Sequence, residues 1–254
     1  MLRFVVGAVT AVMIVAGPAQ AVDFHMAGAV PQIGGGLGDP GVAANEQLIT
    51  GFDGHDSLSY DPAHAVGFGL FTGSHAGIAA APAGDHSQYM AIGAGGSVLF
   101  DLRSLNSDTN PITSVSVYLG SIDPYNFIDV LGTDGSGGLD YAHPLLTVGG
   151  ANLPGDDGDW YSEHANGRLT FTFGNSEQVG AIIFRSSGIA LEFDSIAIGT
   201  RRAIDLPSQN AVSPAPEPAS WTLMLGGFGL VGGAMRSRRG AAVSLRRTRT
   251  DRTR

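Results

Sequence analysis

Arg168-Leu169-Thr170-Phe171-Thr172-Phe173 alternates polar and apolar side chains without a break. A period of two puts Leu169, Phe171 and Phe173 on one side of an extended strand and Arg168, Thr170 and Thr172 on the other. One dry face and one wet face is the signature of an antiparallel sheet packed on one side. The same period appears upstream in Thr113 to Leu119, where Val115, Val117 and Leu119 share a face. Downstream it returns in Val179, Ala181 and Ile183, and again in Ile189, Leu191 and Phe193. After Phe193 the apolar positions slip by one, to Ile196 and Ile198, which predicts a bulge at Asp194-Ser195. Clusters of Gly, Asp and Asn separate the runs, and long helical periodicity is absent. The expected fold is all-β: an antiparallel β-sandwich of jelly-roll type over residues 66–200. Gly93-Ala94-Gly95-Gly96 reads as a tight turn between strands, since no Lys follows and no helix begins there to make a phosphate loop. Residues 22–65, rich in Gly and Asp, read as a loosely ordered lead-in.

Outward from this domain, both ends change character. Arg3 precedes an apolar run from Phe4 to Gly17, and Ala19-Gln20-Ala21 fits the small-x-small rule of signal peptidase. That predicts a signal peptide over 1–21, an N-terminal helix removed from a mature chain starting at Val22. At the other end, residues 201–215 lose apolar period and close on Ser213-Pro214-Ala215, an extended linker. Pro216-Glu217-Pro218 follows, then Trp221, an apolar stretch from Thr222 to Met235, and Arg236, Arg238 and Arg239. As a helix, Trp221 to Met235 would span about 22 Å at ~1.5 Å per residue, a short single transmembrane helix against a core of ~30 Å. Trp221 suits one membrane interface and the arginines the cytoplasmic one. Residues 240–254 form a basic tail.

Charge follows the same division. Residues 22–215 hold 5 Arg against 21 Asp and Glu, whereas residues 236–254 hold 8 Arg and one Asp. An acidic body repels phosphate backbones, which argues against nucleic acid as a partner of the folded part. The chain has no Cys, so disulfides and thiolate metal sites are excluded and an apolar core must carry stability.

The order Pro216-Glu217-Pro218, Trp221, Met224-Leu225-Gly226-Gly227-Phe228-Gly229, arginine cluster resembles the PEP-CTERM sorting signal in its PEPxA form. That resemblance implies a sorting signal over residues 216–239, with Pro216, Glu217 and Pro218 recognised by a membrane-embedded exosortase and residues 221–239 a transient membrane anchor. It also implies release to the cell surface or extracellular matrix. The residues that follow Arg239 depart from the usual tail, which stops soon after the basic cluster. The middle of the chain, through Phe71-Thr72-Gly73-Ser74, Gly120-Ser121-Ile122-Asp123-Pro124-Tyr125-Asn126 and Ala190-Leu191-Glu192-Phe193-Asp194-Ser195, is similar to one group of exosortase-dependent surface proteins. Within that likeness, Leu119 stands where Trp is common and Ser195 where Asn is usual. The likeness implies a location and assigns no catalytic activity.

Candidate sites are sparse. Of the seven histidines, His55, His64, His75 and His86 sit in turn-like contexts and none pairs at helical ligand spacing, so loop histidines are the better account. Asp134-Gly135-Ser136-Gly137-Gly138-Leu139-Asp140 sets oxygens at alternate positions, and Asp156-Asp157-Gly158-Asp159 adds a second acidic turn. Hard oxygens on Gly-rich loops suit calcium, although Asp-Gly turns also form for backbone reasons alone. Tyr125, Trp160 and Tyr161 fall in or beside loops, where aromatics stack on sugar rings or cap a core. No Gly-x-Ser-x-Gly elbow is present for a serine hydrolase. The sequence therefore points to an exported surface or matrix protein with a non-catalytic structural or interaction role. A carbohydrate-binding module for exopolysaccharide, calcium-assisted, is the alternative; a glycoside hydrolase comes third.

Overall fold

The described residues are 22–202 without His55, Asn175 and Ser176, in a computed structural model. They form β1 (Asp23–Gly28), β2 (Val30–Pro31), β3 (Leu37–Gly38), β4 (Glu46–Thr50), β5 (Ala65–Thr72) and β6 (Gln88–Asp101). There follow β7 (Ile112–Gly120), β8 (Asn126–Gly132), β9 (Leu146–Gly149), β10 (Gly167–Thr172), β11 (Val179–Ser186) and β12 (Leu191–Thr200). The described residues belong to a single compact unit. The expected signal helix, with Ala19 and Ala21, and the sorting segment, with Pro216, Glu217, Pro218, Trp221, Arg236, Arg238 and Arg239, lie outside the described residues. Among the described residues no helix is long and apolar enough to cross a membrane.

All pairings are antiparallel, in the order β1-β10-β7-β12-β6-β11-β8-β9, with β4 added to β12 and β5 to β6; β2 and β3 form a separate ribbon. The all-β expectation is met, as one continuous sheet curled into a half-barrel. β6 supplies the continuity. Its first half, Met90 to Ile92, pairs with β12, and its second half, Gly96 to Asp101, pairs with β11. Between them Gly95 takes φ +75°, and across the ladder Gly67 takes φ +65° and faces the bulged residues 93–96. A Cβ on Gly96 would stand 2.5 Å from the Gly67 carbonyl oxygen, so the two chains approach where only glycine fits. The tight turn expected at Gly93–Gly96 is thus a bend inside a strand: the glycines absorb the curvature without breaking the β5–β6 ladder.

Val115, Val117, Leu119, Leu169, Phe171 and Phe173 all reach the main core, as their alternation predicts. At its centre Phe184 and Phe193 stack with ring centroids 4.0 Å apart, flanked by Phe52 and Phe100. The predicted bulge is present: β12 pairs Asp194 with Tyr118 and next Ala197 with Ser116, while Ser195 takes φ +54°.

Three expectations need correction. β11 carries a bulge between Val179 and Ala181, so Ile182 and Phe184 enter the main core. Ala181 and Ile183 instead join a smaller cluster with Leu99, Leu131 and Leu139 on the opposite face. The segment before residue 66 is not a loose lead-in. β1 pairs along β10, β4 along β12, and Ile49 is fully buried in the core. β1 alternates Phe24 and Met26 toward the core over only six residues, and β4, at five residues, buries Ile49 and Thr50 in succession without a period of two. Lastly, Arg168 belongs to an alternation that points it to solvent, yet it is 3% exposed. Its Nε donates to Asp39 Oδ1 at 2.9 Å, a second nitrogen bonds Asp39 Oδ2, and the third reaches Ser116 Oγ and the Ser195 carbonyl. The connection after β3 therefore covers the outer face of β10, β7 and β12.

Candidate functional site

The loop Gly73–Ser87, between β5 and β6, folds back over the outer face of β12 and is tied down along its length. Tyr89 donates its hydroxyl to the Gly73 carbonyl, and Tyr118 donates to the Ala83 carbonyl at 2.7 Å. The Ala80 N–H donates to Glu192 Oε1 at 2.8 Å, and the Ala83 N–H to Asn166 Oδ1 at 3.0 Å. Gly84, at φ +70°, passes so close to the Leu37 carbonyl oxygen that a Cβ would stand 2.2 Å from it. Loop and ribbon thereby form two walls.

A third wall comes from the β9–β10 connection, which carries Trp160 and Tyr161. Asn166, wholly buried, donates from Nδ2 to the carbonyls of Asp159, Trp160 and Ser162, while its Oδ1 also accepts from the Ser121 N–H. One amide thus fixes the aromatic turn against the loop opposite. The cleft so enclosed measures about 580 Å³ and is lined chiefly by Leu37, Pro82, His86, Trp160 and Tyr161. Tyr161 is 85% exposed and Trp160 42%, so two rings stand ready beside a wall of glycines, alanines and proline. On the other side of Trp160 lies a pocket of about 90 Å³ bordered by His75, Ser121, Asp123, Ile189 and Glu192.

The electrostatics of that pocket are unusual. Glu192 is 2% exposed, and burial pushes its carboxyl up to about 8. The bonds from Ala80 N–H and Ser121 Oγ pull the other way, and nearby Asp123 adds to the rise. Glu192 therefore holds its proton well above the ordinary carboxylate range. Asp123 is itself raised, first by burial and then by Asp157 and Asp156, against the opposing bond from the Tyr125 hydroxyl.

Trp160 and Tyr161 are brought together on the cleft; Tyr125 is not. Its hydroxyl lies 2.7 Å from Asp123 Oδ2 and 2.5 Å from the Ile189 carbonyl, and its ring packs on Gly188, behind the smaller pocket. Of the acidic turns, Asp134 Oδ1 accepts from the Ser136 N–H, the Ser136 hydroxyl and the Gly138 N–H, which hold its carboxyl below the usual range. Asp140 caps Ala142 and His143, Asp157 caps Asp159, and Asp159 caps Tyr161. Asp156 and Asp157 lie near enough to Asp123 to raise its carboxyl. Among the described residues no three His, Asp or Glu side chains converge as a ligand set. The residues that sequence reasoning missed are Asn166, Glu192 and the Ala81–His86 wall. Glu192 and the loop wall are held by partners 35 to 112 positions away, and although Asn166 Nδ2 bonds nearby carbonyls, its Oδ1 reaches Ala83 and Ser121, far along the chain and beyond any local pattern.

Residues 214–239 match the PEP-CTERM protein-sorting motif, so the chain carries that motif. Such a motif implies export, processing by an exosortase and sorting toward the surface. No curated protein matches the chain. Among solved structures, the CBM22-1 xylan-binding domain of Paenibacillus barcinonensis is similar at 13% identity and TM-score 0.36, covering 64% of this chain and all of that one. A Clostridium stercorarium module solved with cellobiose follows at 16% identity and TM-score 0.30, covering 61% of this chain and 92% of its own. A family 11 carbohydrate-binding module of Clostridium thermocellum shares 12% identity at TM-score 0.22, over 61% and 96%. Scores this low say nothing of this chain's ligand.

Proposed function

We propose that the domain is a non-catalytic glycan-recognition module of an exported, sorted surface protein, binding exopolysaccharide in the Trp160–Tyr161 cleft. The observation that supports this reading is a pair of exposed aromatic rings on a cleft whose walls are already fixed by Asn166 and Glu192. Sugar rings present one apolar face and a rim of hydroxyls, so an aromatic platform with carbonyls and amides around it suits them. A wall fixed before binding reduces the ordering cost that a weak polar ligand must overcome. Glu192 acts as a strut rather than a general acid, since both its oxygens are bonded and it is almost fully covered.

In this reading residues 1–21 direct export and are removed, Pro216, Glu217 and Pro218 are the exosortase element, and residues 221–239 anchor the chain until processing. β1 starts at Asp23, two residues beyond the proposed signal cleavage after Ala21, so cleavage leaves the edge strand whole. The test is a pull-down of purified mature protein on the producing cell's own exopolysaccharide. Saturable retention supports recognition; no retention at any protein concentration refutes it and leaves a structural surface role.

A further inference from the structure

A different part of the molecule carries a separate reading. Beside the cleft, Asp85 on the β5–β6 loop and Asp194 on β12 line a cavity of about 320 Å³. Asp194 is 5% exposed, and its Oδ1 is buried without a hydrogen-bond donor; Asp85 Oδ2 is in the same condition. Their other oxygens share too few protons. Ser87 Oγ is bonded to Asp85 Oδ1 and lies 3.4 Å from Asp194 Oδ2, so one hydroxyl proton serves two carboxylates. The Ser195 hydroxyl adds a bond to Asp194 Oδ2 at 3.1 Å, the Ser195 N–H also bonds the Asp194 carboxyl, and the Ser87 N–H donates to Asp85 Oδ1. Asp194 Oδ1 and Asp85 Oδ2 are still left without a well-formed hydrogen bond.

The groups around the pair do not supply a positive charge to spare. The Arg168 fork is occupied by Asp39, and Tyr118 spends its hydroxyl on the Ala83 carbonyl. From the turn after β4, Asp53 adds a further exposed carboxylate whose Oδ1 accepts from the Gln88 N–H, and Asp56 is turned to the Gly51 and Phe52 amides. His86 is exposed on the rim. Asp194 is buried and Asp85 half-buried, each with one covered oxygen whose lone pairs are unmet, an arrangement that destabilises the fold unless a proton or a cation joins them.

We propose that Asp85 and Asp194 bind a hard divalent cation of the calcium class, with the Ser87 hydroxyl as a neutral ligand. The donors are all oxygens; two carboxylates balance a double charge; and calcium fills its remaining positions with carbonyls and water. A set of two carboxylates with neutral oxygens is sparser than a three-acid cluster, which is why no such cluster marks it. The bound ion would fasten the β5–β6 loop to β12. This claim does not depend on a glycan occupying the cleft.

The test uses mature protein stripped with a chelator, titrated with calcium chloride by calorimetry and followed by thermal unfolding. Expected is one saturable site and, at a hundredfold excess over Kd, a Tm higher by roughly 5–10 °C. Asp194→Asn and Asp85→Asn should each weaken binding at least tenfold, and neither should lower the Tm in chelator, since each relieves repulsion. Asp134→Asn should bind as the parent does. An absence of saturable calcium binding, or affinity equal to the parent's in either the Asp85 or the Asp194 variant, overturns the proposal. So does loss of binding in Asp134→Asn alone.

Discussion

Replacing Glu192 with Gln should make the protein more stable at high pH and leave it unchanged at low pH. In the folded state the Glu192 carboxyl titrates at about 8, against an ordinary 4.5. Between those values the folded chain keeps a proton that the unfolded chain releases. Stability therefore falls as pH rises through this window, by about 1.4 kcal/mol per pH unit, and levels off above the folded value. The cost is absent below about pH 4.5 and reaches a few kcal/mol above pH 8. Gln reproduces the protonated acid. Its carbonyl can accept from the Ala80 N–H, and its amide can donate to Ser121 Oγ, whose hydroxyl is free to turn. The assay is urea unfolding of parent and Glu192→Gln in chelator at pH 4, 7 and 9, read as the difference between the two chains so that other titrations cancel. The gap should be near zero at pH 4 and favour Gln by a few kcal/mol at pH 9. A gap independent of pH, or one favouring Glu at pH 9, would refute the assignment of Glu192 as a buried neutral strut.

Asp39→Ala should cost roughly 3–5 kcal/mol, because it leaves the Arg168 guanidinium buried without its counter-charge; urea midpoints measure this. Gly96→Ala should destabilise by more than about 1 kcal/mol, through the contact with the Gly67 carbonyl, and a thermal melt reads the loss. Ser195→Asn should stabilise by up to about 1 kcal/mol, since Asn tolerates the left-handed φ of +54° better than Ser; the same melt shows it as a higher Tm.

How much of this was legible beforehand follows from the range of each signal. Alternation over five or more residues gave the core faces of β7, β10 and β12, including the bulge after Asp194, because one dry face dominates burial there. It misassigned β11, where a one-residue bulge exchanges the faces and both are covered. It passed over β1 and β4, whose neighbours in the sheet come from far along the chain. At the site, Trp160 and Tyr161 were visible as loop aromatics. What holds them was not: Asn166, Glu192 and Arg168 are polar residues whose burial exists only because the 73–87 loop and the Asp39 connection cover β12 and β10. Glu192, between Leu191 and Phe193, looks like any solvent-facing position of an alternating strand until that cover is in place.

The central claim is that the Trp160–Tyr161 cleft recognises a glycan, and an affinity comparison on the same exopolysaccharide tests it most directly. Trp160→Ala removes the exposed ring without touching the Asn166 bond to the residue-160 carbonyl, so the fold should stay intact with an unchanged Tm. For a central aromatic contact worth about 2 kcal/mol, the account predicts roughly 30-fold weaker retention than the parent chain. Equal retention by parent and variant would contradict it.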